Sequence, residues 1–229
     1  MGNKITQNRS DQGKTRIVVV DDHPVFRQGL ADLINEEADM TVCGEADDAN
    51  QAVRVIEELK PDMAIVDITL KETSGLELIK DIRVRYPNLP ILTLSMHDES
   101  LYAERALRAG AKGYIMKQEA TNKVIAAIRR VLSGEMYVSE AMAGQMLSKL
   151  VGAAPKSESS GVECLSDREF QVFRLIGQGY GTHQIAERLH LSTKTIETYR
   201  ANVKEKLRLP NAAQLRQYAV QWVASKDNA

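Results

Sequence analysis

The sequence is short of several things, and each shortage removes a class of protein. No apolar run approaches the roughly 18 residues needed to cross a membrane, and the opening MGNKITQNRSDQGKT lacks the apolar stretch of a secretory signal. A cytoplasmic location is therefore expected. Cysteine is scarce: Cys43 and Cys164 are too few for a disulfide framework, lie outside any paired metal-ligand motif, and are expected to be buried, reduced thiols. Aromatic residues make up only 5%, yet 43% hydrophobic and 27% charged residues are close to the globular average. That balance excludes a disordered tail protein and a collagenous one. An excess of charge of one sign is also missing, since 30 Lys+Arg stand against 31 Asp+Glu. Two fragments near the start carry no function. Met1-Gly2 with Thr6 fits a loose myristoylation pattern that matters only in a eukaryote, and Gly13-Lys14-Thr15 ends like a phosphate-binding loop whose first glycine is replaced by Asn8.

What is present falls into two halves. Residues 1–161 hold 20 basic and 24 acidic side chains, a net −4, whereas residues 162–229 hold 10 and 7, a net +3. Residues 1–15 are polar and unpatterned and read as a flexible arm. From Arg16 onward, short apolar runs alternate with longer amphipathic ones. Strands are expected at Ile17–Val20, Thr41–Glu45, Ala64–Val66, Ile91–Leu94 and Gly113–Met116. Helices are expected at Val25–Glu37, Asn50–Leu59, Gly75–Tyr86, Leu101–Ala109 and Thr121–Leu132. Five such units predict an α/β fold, a five-stranded parallel, doubly wound, flavodoxin-like sheet whose ligand site lies at the carboxyl ends of its strands. A helix at Val138–Leu150 and the glycine-, proline- and serine-rich GAAPKSESSG then form a linker over residues 136–161. Four short-connected helical patterns follow, Leu165–Gly177, Gly181–Leu189, Ser192–Leu207 and Ala212–Ala224, and predict a small all-α domain at 162–229.

The strand ends carry chemistry. The first ends in Asp21-Asp22 and the third in Asp67, three carboxylates that repel one another and suit a hard cation such as Mg²⁺. The fourth ends in Ser95, and Lys117 follows the fifth. A nucleophile, a metal site, a hydroxyl and a cation are the parts that phosphoryl transfer to a carboxylate needs. An aspartate at one strand end is as often a turn or cap residue as a site. Five such groups at consecutive strand tips are hard to explain that way.

These residues resemble the site of a response-regulator receiver domain over 16–135, with Asp67 in VDITLKETSGLEL, Ser95 in LTLSM and Lys117 in GAKGYIMK. The resemblance implies that Asp67 is the phosphoacceptor, and that Asp21 and Asp22 are the acids beside a Mg²⁺ held by Asp22, Asp67 and the carbonyl of Thr69. It further implies that Ser95 and Lys117 grip the phosphoryl group and that Tyr114 is the aromatic switch, where the plainer reading is a half-buried strand tyrosine. Lys71 departs from the family's usual proline. Phosphohydrolases with an aspartate nucleophile commonly place a second acid two residues on, and this chain has Thr69 there.

Thr182–Ala201 has the spacing of a helix-turn-helix, with small Ala186 at the crossing, Ile185, Leu189, Leu191 and Ile196 inward, and Ser192 as a cap. With Leu165-Ser166-Asp167-Arg168-Glu169, Lys194-Thr195-Ile196 and Lys206-Leu207, this segment resembles the LuxR-type DNA-binding domain over about sixty residues. Receiver, linker and LuxR-type domain in this order resemble the NarL/FixJ class of response regulators. The resemblance implies a recognition helix at Thr193–Leu207, with Glu197, Thr198 and Ala201 toward bases and Thr193, Lys194, Thr195, Arg200 and Lys204 toward phosphates or neighbouring edges. Gly181-Thr182, Tyr199 and Glu197 depart from the common pattern, and Glu197 is open to two readings, accepting from a base or repelling phosphate. In the last helix Leu215, Ala219, Trp222 and Val223 form an apolar stripe, expected to pack on the recognition helix and, by the resemblance, to join two DNA-bound copies. The four histidines lack metal spacing and read as structural or surface groups.

Together these expectations describe a phosphorylation-switched bacterial transcription factor and not an enzyme. Its implied partners are a sensor histidine kinase, double-stranded promoter DNA, a second copy when active, and RNA polymerase. Two other functions compete with it: an Asp67-dependent phosphohydrolase, and a phospho-regulated module that binds protein through its helical domain.

Overall fold

The computed structural model describes residues 13–70, 74–96, 98–119, 121–150 and 161–227, so Lys71, His97 and most of the connector lie outside the described residues. The chain divides into two compact units, Met1–Gly144 and Gln145–Ala229.

The first unit runs β1 (Thr15–Val20), α1 (Pro24–Asn35), β2 (Met40–Ala46), α2 (Ala49–Leu59), β3 (Met63–Val66), α3 (Gly75–Arg85), β4 (Ile91–Ser95), α4 (Glu99–Ala109), β5 (Gly113–Met116) and α5 (Thr121–Leu132). All pairings are parallel, and the strand order is β2-β1-β3-β4-β5. The expected doubly wound sheet is what the chain forms. Ile17 to Val20 are each at most 1% exposed because helices cover both faces of the sheet. Ile17 and Val19 join Leu30 and Ile34 of α1 and Val124 and Ile128 of α5 in one core layer, and the period of two sends Val18 and Val20 to the other face. Local chemistry sets the helix ends: Pro24 opens α1, the Asp48 carboxylate accepts from the Gln51 amide at 2.8 Å, and Gly110 closes α4 at φ +119°. β1 starts at Thr15, inside the expected arm, because the Thr15 amide donates to Asp39 O at 2.8 Å.

Past α5 the chain turns back to the sheet edge. The Tyr114 amide donates to Tyr137 O at 2.8 Å, and the Tyr137 amide donates to Lys112 O at 3.0 Å, forming a one-residue bridge beside β5. Glu99 in the first turn of α4 accepts from the Ser139 amide at 2.8 Å, immediately before α6 (Glu140–Leu150).

The second unit has a 3-10 turn (Gly161–Cys164), then α7 (Asp167–Gly177), α8 (Thr182–Arg188), α9 (Thr193–Lys206) and α10 (Ala212–Asp227). A Cβ on Gly177 would stand 2.5 Å from Ala219 O, so the missing side chain lets α7 and α10 approach closely. Two expectations need correction here. The apolar stripe of the last helix, expected on the recognition helix, seats its aromatic on α7: Trp222 lies 5.5 Å from the Phe170 ring and 5.7 Å from Phe173, both edge-on. Neither cysteine is buried. Cys43 lies on edge strand β2, covered on fewer sides, and Cys164 is exposed at the end of the 3-10 turn with its thiol against Gly161 O.

Candidate functional site

Register alone brings the carboxylates together. Val20 pairs with Val66 and the Asp67 amide donates to Val20 O at 2.9 Å, so Asp21 and Asp67 leave the sheet side by side. Ser95 pairs with Met116 and the Lys117 amide donates to Ser95 O at 2.8 Å, which places Lys117 beside Ser95. β1 and β3 are the strands at which the winding reverses, where open α/β sheets hold their ligands.

The Lys117 ammonium bridges two acids, lying 2.5 Å from Asp21 Oδ2 and 2.8 Å from Asp67 Oδ2, with all three side chains no more than 4% exposed. It also stands 4.4 Å from the centre of the Phe26 ring. One ammonium is therefore shared by two carboxylates. Burial pushes the Asp67 carboxyl up to about 6; Lys117 opposes that rise, Asp21 adds to it, and the Thr69 amide donates to the carboxylate. Among the described residues, two acidic oxygens, Asp22 Oδ1 and Asp67 Oδ1, are buried with no hydrogen-bond donor. Hard carboxylate oxygens in need of a partner fit a hard divalent cation, and ligand atoms of Asp21, Asp22, His23 and Asp67 all lie within 4.8 Å of one another.

Ser95 and Tyr114 are both fully buried, and their side chains are hydrogen-bonded to each other. Burial holds the Tyr114 phenol well above its ordinary value, so it stays neutral. The half-buried strand tyrosine is thus not what the fold contains.

Several contributors were not foreseen. His23, expected to be a surface group, is exposed, yet its Nδ1 stands 3.3 Å from Asp21 Oδ1 and 2.8 Å from Asp22 Oδ1, off the hydrogen-bonding direction to the latter. The signal was its place next to the paired acids, not its spacing from other histidines. Arg27 donates to Asp21 O at 2.5 Å and to Glu45 at 2.9 Å, fixing the end of β1. At Gly75 a Cβ would fall 1.8 Å from Asp67 O, and the Gly75 amide donates to Ile68 O at 2.7 Å. Only glycine lets α3 begin this close to the phosphoacceptor candidate.

In the second unit, Ser192 caps α9 by accepting from the Thr195 amide at 3.0 Å. Ile196 and Val203 are buried, whereas Thr193, Lys194, Glu197, Thr198 and Ala201 are exposed and Thr195, Arg200 and Lys204 partly so. All eight expected contact residues are thus accessible, and Lys194, Glu197, Thr198 and Ala201 share one helix face. Thr198 Oγ1 is turned onto its own helix, donating to Lys194 O at 3.1 Å. Glu197 Oε1 accepts from Thr182 Oγ1 at 2.8 Å, a link between two departures from the family pattern.

An acidic pocket at the switch point of a parallel sheet, followed by a capped helix-turn-helix, defines a response regulator with a DNA-binding output domain. Residues 17–129 match the response regulator receiver domain, and residues 163–219 match the LuxR family of bacterial regulatory proteins. The chain is 35% identical over 210 residues to the oxygen regulatory protein NreC of Staphylococcus epidermidis, covering 90% of this chain and 96% of that one. The NreC of Staphylococcus carnosus is 34% identical over 209 residues, with the same coverage. Among solved structures, a LuxR-family two-component response regulator from Aurantimonas matches at TM-score 0.56 and 35% identity over 60% of this chain and 99% of that one. RcsB of Salmonella enterica serovar Typhimurium, bound to a promoter in the presence of the phosphomimetic BeF3⁻, matches at TM-score 0.59 and 25% identity over 90% and 98%. The chain belongs to the NarL/FixJ class of two-component response regulators. No helix of the described residues is long and apolar enough to cross a membrane.

Proposed function

We propose that a sensor histidine kinase phosphorylates Asp67, and that this changes how residues 162–229 bind promoter DNA. The observation that carries the reading is the pair of buried oxygens on Asp22 and Asp67 with no donor among the described residues, beside the Lys117 that Asp21 and Asp67 share. Burial raises the Asp67 carboxyl while Lys117 beside it favours the ionised form, which is the form that attacks phosphorus. Its oxygen forms the new bond to phosphorus as the bond to the donor's imidazole breaks. Asp22, Asp67 and the Thr69 carbonyl are the groups to hold Mg²⁺, which neutralises phosphoryl charge when bound. Phosphorylation adds about −1.5 to −2 charge at Asp67. Lys117 answers by exchanging carboxylate for phosphoryl oxygen, and Ser95 by leaving Tyr114 to donate to it.

Thr69 cannot protonate a leaving group, which favours a switch over multiple turnover of external substrates. α9 supplies Thr193, Lys194, Thr195, Glu197, Thr198, Arg200, Ala201 and Lys204 to the major groove. The same reading includes a homodimer on DNA and RNA polymerase as a further partner. The domain limits proposed are 16–135 for the receiver and 162–229 for the DNA-binding domain, with residues 136–161 between, and the site of action is the cytoplasm.

The test is incubation with acetyl phosphate and Mg²⁺, read by intact mass and by binding to promoter fragments. Wild type is expected to gain one phosphoryl group that Asp67→Asn does not, with DNA binding changing only in wild type. Equal labelling of both proteins overturns the reading.

A further inference from the structure

We infer that Thr182, outside the recognition helix, is a positioning residue for Glu197, and that together they give α9 a preference for cytosine at one operator position. This rests on the DNA-binding reading above and says which base that reading selects.

The two residues are fifteen apart in sequence and meet where α8 starts against α9. Thr182 Oγ1 donates to Glu197 Oε1 at 2.8 Å and accepts from Arg200 Nη1 at 3.3 Å. A hydroxyl has one proton to give, so the charges on either side fix its direction: the guanidinium can only donate and the carboxylate can only accept. Thr182 is not occupied with capping its own helix, since the Gly181 amide is taken by Gln184 Oε1 at 2.9 Å. Its hydroxyl serves the neighbouring helix instead.

An exposed glutamate on a helix ordinarily samples many rotamers, and ordering it on binding costs conformational freedom. Here one carboxylate oxygen is already tied down, while Oε2 has no donor among the described residues. Beside it Thr198 gives its hydroxyl proton to Lys194 O and keeps only a neutral acceptor oxygen, and the Ala201 side chain has no polar group, so Glu197 is the charged acceptor of this stretch of helix. Arg200, reached through Thr182, keeps a positive charge behind the carboxylate and moderates its repulsion from phosphates.

In the major groove only cytosine N4 and adenine N6 donate, whereas guanine O6 and N7 and thymine O4 repel a carboxylate. Adenine presents its N7 acceptor next to N6, which disfavours a group with two acceptor oxygens. Cytosine carries no acceptor on its own ring edge there, the nearest one being O6 of the paired guanine across the pair.

The experiment selects bound sequences from a randomised duplex library with the full chain, untreated and treated with acetyl phosphate and Mg²⁺. It compares wild type with Glu197→Ala, Thr182→Val and Thr182→Ser, after thermal melting shows that each folds. Wild type is expected to favour cytosine over guanine and thymine at one position per half-site by about five- to a hundredfold. Glu197→Ala should erase that preference, Thr182→Val should cut it several-fold at that position alone with the salt dependence unchanged, and Thr182→Ser should restore it. The inference is overturned if Thr182→Val keeps the wild-type preference, if Glu197→Ala does, or if Thr182→Val weakens every position equally. A wild-type protein that enriches no sequence overturns the DNA-binding reading as well, whereas enrichment that the variants leave untouched overturns only the role of the pair.

Discussion

The two units handle charge in opposite ways. At the strand ends, Asp21, Asp67 and Lys117 are almost wholly withdrawn from water, whereas on α9 Lys194 and Glu197 stand in it. Coulomb interactions are several times stronger in the first setting than in the second, and salt screens mainly the second. The buried cluster is therefore a place where one added charge rearranges its neighbours. The exposed face is one where many weak contacts sum to an affinity that ionic strength tunes.

The difference can be broken most severely at Lys117. Lys117→Met leaves Asp21 and Asp67 facing each other without their cation and is expected to destabilise the first unit by about 3–5 kcal/mol. Urea unfolding measures that loss. Mg²⁺ should recover part of it, and the rise in Tm on adding Mg²⁺ should be larger in the variant than in wild type, because the ion binds a more negative pocket. A smaller rise would separate the lysine from the cation site. Gly75→Ala tests the same region through shape instead of charge. A methyl group 1.8 Å from Asp67 O must push α3 or the loop aside, at about 2–3 kcal/mol and with loss of phosphoryl uptake.

On the exposed face the ordering of effects should invert. Lys204→Met is expected to leave stability within about 0.5 kcal/mol while weakening DNA binding, with the slope of log affinity against log salt reduced by about 0.9. The smallest effect concerns Glu169, which with Asp167 is one of two buried acids among the described residues of the second unit. Burial raises its carboxyl, but the Lys206 ammonium 2.7 Å away and the Ser166 amide outweigh that and hold it below its ordinary 4.5. A depressed carboxyl contributes stability that is present above the unfolded value and lost as pH falls through the folded one. Wild type should thus exceed Glu169→Gln at neutral pH by an amount that shrinks below about pH 4.5, as melting at a series of pH values would show.

Much of this was legible because it is written locally. β1 announces itself as four consecutive apolar residues, and each of Asp21, Asp67, Ser95 and Lys117 stands directly at the end of its strand run, so finding the strands finds the site. Ser192 before Thr193–Lys206 is equally plain as a cap. What escaped depends on groups distant in sequence that meet only in the fold. Nothing near Gly75 says that Asp67 O will stand where its side chain would be. Trp222 at helical spacing marks a buried face without saying which helix receives it, and α7 does so because Gly177 lets it come close. That Cys43 is only half-buried follows from strand order, which puts β2 at the sheet edge and which no local pattern states.

The bridge at Tyr137 has a mechanical consequence. The chain leaves the sheet not from the end of α5 but from a segment stitched to β5, the strand that carries Tyr114 and leads to Lys117, and Glu99 grips that segment just before α6 starts. An eleven-residue helix is about 16 Å long, so a tilt of about 10° at its root carries its far end through roughly 3 Å. The root of α6 is thus tied to the strand that leads to Lys117, so any tilt there is set by how firmly Glu99 holds Ser139.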